Sequence, residues 1–508
     1  MTVRRLSSRA RVLVGALVVM LAATLAGSLP ALAEKSSDPA RPDALTPSRD
    51  GSARPEQTLR AVAPRPGSAG AGDRYFPRYG NGGYQVRHYD VDVRFNPGTE
   101  RLRGRTVVLG RATQNLTRFN LDLVLPASKV LVNGRRAATR STSHELIVDP
   151  RVPLRRGQKM RVVVRYAGVP KEHRVGGVRP WVTTKDGAVA VGEPEIAAWW
   201  FPSNDHPSDK ATFAITLRVP KGVEAISNGR LMRRSDRGDT TVWRWRERDP
   251  MATYLAFAAI GQYDIERGRT PSGRRFLYAY SQQQRDQHWA RASVGETARI
   301  TTWLEGIWGR YPYDEVGGVV LGKWIGFALE NQTRPVYARS FFEFGPDRSV
   351  VAHEMAHQWF GNRVAVERWR DIWLNEGFAT YSEWLYSNKV RDTSLGRIFK
   401  RAYRSYGPNS SFWRVPIGSP GPNRIFSLPV YDRGAMTVHA LRNRIGSDDF
   451  FALTRRWVHR ADGNGSTAEF VRLAEQVSGR QLDGFFDTWL FTKSRPRPTV
   501  ANGFPRGF

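Results

Sequence analysis

The chain is 508 residues long and 40% apolar, which is enough for several domains with substantial cores and unlike a disordered or fibrous composition. It contains no cysteine, which excludes disulfides, thiolate metal ligands and a cysteine-linked lipid anchor, so any metal must be held by histidines and carboxylates. The net charge is +31, but the arginines are spread over every segment with no compact basic run and no nucleic-acid motif, so no nucleic-acid partner is expected.

Residues 1–33 have the pattern of a signal peptide. Arg4, Arg5, Arg9 and Arg11 precede an apolar stretch over 12–29, and Ala31-Leu32-Ala33 offers a small-residue cleavage site. The apolar stretch falls short of the ~20 residues that a spanning helix needs, so an exported protein without a stable membrane anchor is expected. The Arg4-Arg5 pair hints at twin-arginine export. Residues 34–72 are rich in Pro, Ser, Ala, Gly and Arg and read as a flexible linker.

From 73 to 268 the pattern is that of an antiparallel β domain. Tyr89, Val91, Val93 and Phe95 alternate with polar residues, as do Phe119, Leu121, Leu123 and Leu125, and later Phe213, Ile215, Leu217 and Val219. Asn133-Gly134 and Asn228-Gly229 mark turns. From 269 to 492 helical spacing dominates, over 288–308, 349–359, 372–390, 431–445, 467–478 and 482–490, with a strand-like stretch at 317–329. The Pro/Arg/Gly-rich tail, 493–508, is expected to fray. No internal repeat is present.

The chemistry concentrates in His353-Glu354-Met355-Ala356-His357. Residues four apart share a helix face, so both imidazoles can reach one ion, with Glu354 beside the first of them. Such a string alone also occurs on ordinary surface helices. The second element is Trp373-Leu374-Asn375-Glu376-Gly377, which brings a carboxylate on the next helical segment. Two histidines and a glutamate, with a fourth position left for water, make a catalytic zinc site with a single ion. His353, His357 and Glu376 are therefore the expected ligands, and Glu354 the general base toward a zinc-activated water.

These blocks, His353 to Asn362 (HEMAHQWFGN) and Trp373 to Ala379 (WLNEGFA), resemble the zinc aminopeptidase family that includes aminopeptidase N, a branch of the gluzincin peptidases. The similarity runs from about Tyr84 to Leu490 and has three further parts. Gly326 to Asn331 (GFALEN) is similar to the family's G-x-M-E-N strand, with Phe327 in place of its first Gly and Leu329 in place of Met. The resemblance implies that Glu330 binds the substrate's α-amine and that Gly326, Ala328 and Asn331 line the strand on which the substrate lies. Glu193 to Lys210 (EPEIAAWWFPSNDHPSDK) resembles the family's E-P-x-x-A-R segment, with Ala198 where the arginine stands; it implies that Glu193 assists at the amine. Trp199 and Trp200 read as core residues. Val430 to Arg442 (VYDRGAMTVHALR) is similar to the family's Y-x-K-G helix start, which implies that the Tyr431 hydroxyl stabilises the oxyanion; Arg433 replaces the lysine, and His439 reads as structural.

The implied fold is multidomain α+β, a β saddle domain followed by a mainly helical thermolysin-like zinc peptidase domain, in a short form that stops before the family's C-terminal helical domain. The implied activity is removal of N-terminal residues from peptide substrates with one Zn2+ ion. A zinc endopeptidase and an inactive, basic cell-envelope binding protein are the competing expectations.

Overall fold

Alternation in the first long strand, β1 (Tyr84–Asn96), buries Tyr89, Val91, Val93 and Phe95 and leaves the residues between them at least partly open. A sheet with one face on a core needs that pattern. The structure is a computed structural model that describes residues 63–175, 180–284, 286–461 and 463–508. The expected signal peptide, 1–33, and residues 34–62 of the expected linker lie outside the described residues. Residues 63–72 are not a free linker, because Arg65–Pro66 pairs with a strand of the β domain and the Asp73 carboxylate accepts from Trp369 N at 2.8 Å.

The β domain continues with β2 (Arg101–Ala112), β3 (Leu116–Asp122), β4 (Ala127–Val132), β5 (Glu145–Asp149), β6 (Lys159–Gly168), β7 (Ala211–Pro220), β8 (Arg230–Arg237) and β9 (Thr240–Met251). The main sheet runs β8-β9-β7-β1-β2-β6-β4 and ends on the short Arg135–Arg136 strand, while β3 and β5 pair in a second sheet. The main sheet is not wholly antiparallel: β1 and β7 run parallel, as a long crossover between them permits. Asn133 and Gly134, with φ of 49° and 83°, form the tight hairpin turn read from the sequence. Asn228-Gly229 is a different device. The buried Asn228 amide donates to Leu255 O and Gln332 O, tying the β domain to the segment that carries Glu330.

The second unit is built on the sheet β10 (Tyr263–Arg269), β11 (Arg275–Ser281), β12 (Glu315–Val320), β13 (Ala328–Leu329) and β14 (Val336–Tyr337), in the order β10-β11-β12-β14-β13. Tyr263 already pairs with Ser281, so the boundary expected at 268 falls inside β10. The helices are α1 (His288–Val294), α2 (Thr297–Trp308), α3 (Arg348–Ala356), α4 (Trp373–Arg391), α5 (Leu395–Ser405), α6 (Leu428–Ile445), α7 (Ser447–Val458) and α8 (Thr467–Ser478). Among the described residues, no helix is long and apolar enough to cross a membrane.

The tail does not fray. Phe504 is buried against Phe399 and Tyr403, Trp489 Nε1 donates to Asn502 O at 3.0 Å, and Tyr403 OH donates to Pro496 O at 2.7 Å. Aromatic anchors in a polar, proline-rich stretch were enough to seat it. Beneath the tail, Arg433 is fully buried and donates to five backbone carbonyls, those of Trp489, Trp413, Val415, Thr488 and Thr492. Burial pulls its guanidinium down to about 10, and the converging carbonyl dipoles keep the ion in place. A lysine has three donors, so Arg433→Lys leaves at least two of these carbonyls unpaired. The expected loss is about 1–3 kcal/mol of stability, seen as a lower thermal unfolding midpoint; an unchanged midpoint would show the knot is not needed.

Candidate active site

Asp347 starts α3 by accepting from Ser349 N and Val350 N, and nine residues of helix then place His353 and His357 on one face. Glu376 projects from the first turn of α4, where the helix dipole favours a carboxylate. The crossing of α4 and α6 brings Tyr431 over the same point. That crossing is glycine on glycine: a Cβ added to Gly434 would lie 2.8 Å from the Gly377 Cα, so any side chain at the contact would push the helices apart. The Tyr431 and His353 rings lie nearly parallel, 6.1 Å apart.

Glu376 Oε2 lies 3.4 Å from His353 Nε2 and 3.5 Å from His357 Nε2. Donors bonded to one tetrahedral ion at 2.0–2.2 Å stand about 3.3–3.6 Å from each other, so both of these separations suit a zinc ion, and all three donor atoms lie within 4.8 Å of one another. The opposite ring nitrogens are engaged elsewhere, His353 Nδ1 with Glu383 Oε1 at 2.6 Å and His357 Nδ1 with Phe360 O at 3.1 Å. Those bonds put the imidazole protons on Nδ1 and turn both Nε2 lone pairs inward. Electrostatics agree. Burial would raise the Glu376 carboxyl, yet the His357 charge and the hydrogen bonds of both imidazoles hold it at about 2. Burial likewise opposes charge on His357, while Glu376 raises it to about 9. Positive charge between these groups is strongly favoured.

Glu354 makes no part of the triad. Burial raises its carboxyl to about 8 against the pull of His353 and His357, and a cation held by the triad would favour the carboxylate form that accepts a proton. Glu330 is buried, accepts from Tyr254 OH at 3.2 Å, and has a carboxylate oxygen within 4.8 Å of ligand atoms of Glu354 and His357. Glu193 reaches the same space from the β domain. Burial, then Glu330, Glu376 and Glu354, push its carboxyl well up, and its Oε1 is buried without a hydrogen-bond partner. Two crowded carboxylates of this kind call for a cation.

The remaining expected residues divide. Ala328 lies on β13, the edge strand of its sheet, and among the described residues no strand pairs with its outer backbone edge. Gly326, with φ of 82°, makes the turn into that strand, so the glycine conformation sits one residue before Phe327. Asn331 is fully buried and its amide donates to Leu255 O at 2.9 Å. Ala198, Trp199, Trp200 and Leu329 are core residues, and His439 packs among Tyr381, Trp384 and Phe399.

Several contributors were missed from the sequence. Gln358 and Asn362 both donate to the Glu330 carbonyl, at 3.0 and 2.8 Å, locking the carboxylate-bearing strand to the end of α3. Tyr254 was also missed, as was Glu383, which stands seven residues, or two helical turns, after Glu376; that spacing was the available signal. A cavity of about 770 Å³ is lined by Arg246, Arg274 and Arg363 among others and does not include the triad. We place the chemistry at the triad, where the donor geometry is.

Two imidazoles and a carboxylate around one point are the ligand set of a mononuclear zinc hydrolase. Residues 85–255 match the profile of the Peptidase M1 N-terminal domain and residues 295–489 that of the Peptidase family M1 domain. The chain belongs to peptidase family M1. It is 28% identical over 340 residues to Aminopeptidase M1-D of Oryza sativa subsp. japonica, covering 63% of this chain and 38% of that one. It is 30% identical over 410 residues to Endoplasmic reticulum aminopeptidase 1 of Homo sapiens, covering 72% and 42%. The chain thus spans less than half the length of these relatives. The crystal structure of an M1 zinc metallopeptidase from Deinococcus radiodurans superposes with a TM-score of 0.76 at 27% identity, covering 85% of this chain and 100% of that one. The β-rich domain followed by a helical one is the fold class expected.

Glu383 touches the metal site only through His353 Nδ1. Glu383→Ala is expected to lower zinc affinity by about 10–100-fold, read by competition with a chelator. Undiminished affinity would remove Glu383 from the site.

Proposed function

We propose that the protein is an exported, zinc-dependent aminopeptidase that hydrolyses the first peptide bond of peptides with a free N-terminus. The observation that carries this reading is the pair Glu330, buried, and Glu193, half-buried with its Oε1 out of water, whose charges act on the same space as the triad. An extended peptide paired on β13 puts its α-ammonium against them and its first carbonyl toward the triad. A continuing chain or a blocked amine brings neither the charge nor the room.

His353, His357 and Glu376 would hold the zinc ion, which when bound supplies Lewis acidity to the scissile carbonyl and makes water more acidic. Glu354 takes the proton of the attacking water and hands it to the leaving amine. Tyr431, whose hydroxyl is kept protonated by burial and by Glu376, donates to the developing oxyanion. Glu330 and Glu193 fix the ammonium, and Gln358 and Asn362 hold Glu330 in place. In the Deinococcus radiodurans enzyme a mutant binds a Tyr-Ser-Ala substrate, and a mutant two-domain M1 zinc metallopeptidase binds L-arginine; each ligand carries the ammonium this site fits. Export rests on the leader pattern over 1–33.

Glu354→Gln is expected to keep its zinc and lose about 10²-fold or more in kcat, because Glu354 is not a ligand. Loss of zinc from this variant would mean the roles are misassigned. The amine site is tested with aminoacyl substrates carrying free or acetylated amines. A charge-assisted hydrogen bond to Glu330 is worth about 1.5–3 kcal/mol, roughly 10- to 150-fold in kcat/KM, and acetylated substrates should fall by at least that factor. Glu330→Ala should hurt free-amine substrates far more than acetylated ones. Equal cleavage of both by the unaltered protein would make it an endopeptidase.

A further inference from the structure

Beside the catalytic cleft, inside the β domain, a second group of donors converges. Asp122 ends β3, Glu145 opens β5 directly opposite it, and His144 precedes Glu145. All three are buried, with relative exposures of 0, 7 and 3%. His144 Nδ1 lies 3.5 Å from Asp122 Oδ1 and 3.7 Å from Glu145 Oε1. These are nearly the separations found at the catalytic triad, and they are too long for hydrogen bonds of useful strength. Asp122 Oδ1, His144 Nδ1 and both oxygens of Glu145 are all buried without a hydrogen-bond partner. Four orphaned polar atoms at one point are costly, and a native structure explains each such group by a partner.

From this we infer that Asp122, His144 and Glu145 form a second metal site, which takes a divalent cation of the zinc type. Two carboxylates and an imidazole exclude neither charge nor geometry for zinc, and the imidazole favours it over magnesium or calcium. The surroundings already have the form of an outer shell. His144 Nε2 contacts Glu195 Oε2 at 2.7 Å, Glu195 accepts in turn from Tyr79 OH, and Asp122 Oδ2 accepts from Asn81 Nδ2 and Asp205 N. A ring N–H given to a carboxylate fixes Nδ1 as the free lone pair, as in metal-ligating histidines generally. Among the described residues, the ion pairs of Asp122, Glu145 and Glu195 involve no cation except His144. Burial and then the charge of Glu145 raise the Asp122 carboxyl well above its ordinary range, as expected of acids that lack a sufficient counter-ion.

The site has a structural consequence. Asp122 exchanges backbone hydrogen bonds with Ser203, and Glu195 stands two residues after Glu193. A cation here ties the second sheet to both ends of the segment that delivers Glu193 to the cleft, so the ion is a positioning device and takes no part in the reaction.

The test uses the full chain with His353→Ala and Glu376→Ala, which removes the catalytic site. After loading with zinc and desalting, native mass spectrometry should find one zinc ion per chain in this variant and two in the unaltered protein. Adding Glu145→Gln should lower the variant from one to none. Because that third substitution could unfold the domain, crystals of the His353→Ala/Glu376→Ala variant measured across the zinc edge give an independent readout, with an anomalous peak expected between Asp122, His144 and Glu145. A zinc-free variant, an ion that survives Glu145→Gln, or an anomalous peak elsewhere overturns the proposal. The aminopeptidase reading stands or falls separately, on the acetylated substrates.

Discussion

Three donor atoms held within 4.8 Å of one another, out of water, are the constraint on which the rest of the catalytic unit depends. Two lone pairs and a carboxylate do not stay together in a protein interior unless positive charge lies between them. The fold supplies the framework that resists their separation. Glu383 and the Phe360 carbonyl orient the rings, the Asp347 cap starts α3 in register, and the glycine contact of α4 with α6 sets how near Tyr431 can come. Each of these acts on the same small volume from a different element. Loosening any one of them moves a donor by a fraction of an ångström, and metal geometry is sensitive on that scale.

Charge is distributed against the overall balance of the molecule. The chain carries +31 in total, yet the cleft gathers Glu193, Glu330, Glu354 and Glu376. In a low-dielectric pocket their mutual repulsion would raise every one of them, and Glu376 escapes only through its imidazoles. Of the two carboxylates nearest the β domain, Glu330 is drawn down by the His357 charge but still lies above its ordinary range, and Glu193 is pushed well up by burial and its neighbouring carboxylates. They are therefore suited to a cation that arrives and leaves, while Glu376 is suited to one that stays. On the aminopeptidase reading, one acidic pocket holds a resident ion at the carboxylate hydrogen-bonded to both imidazoles and a transient ammonium at the two that are not.

The zinc triad was legible because its signal is local: two histidines four apart and a glutamate on the next periodic segment need only helical geometry to be placed together. The strands of the β domain were legible for the same reason, through alternation. What the sequence did not reveal depends on contacts across long separations. Gln358 and Asn362 act on a backbone carbonyl near thirty residues away, which no residue-type pattern encodes. The parallel pairing of β1 with β7 and the start of the second unit at Tyr263 are matters of sheet order, to which a period of two is blind. Asn331 matched the expected motif in register but serves Leu255, because a polar side chain beside a strand's exit is taken by the nearest buried carbonyl. Composition misled at the tail, where Phe504 outweighs its prolines and glycines.

The β domain is part of the site as well as its support. Glu193 and Tyr254 both come from before Tyr263, whereas His353, Glu354, His357, Glu376 and Tyr431 come from after it. On the aminopeptidase reading, the second unit by itself contains what hydrolysis needs, and the first adds what recognises a chain end. Glu330 stands at the joint, its carboxylate bonded to Tyr254 on one side and its carbonyl clamped by Gln358 and Asn362 on the other. Asn228 closes the same joint through Leu255 and Gln332. The distance between amine recognition and the reacting carbonyl is thus set by buried hydrogen bonds between the two units, and breaking one costs the desolvation of the partner left behind. On that reading, a joint of this kind lets the protein count one residue from a free terminus, which a hinge between the same two units could not do.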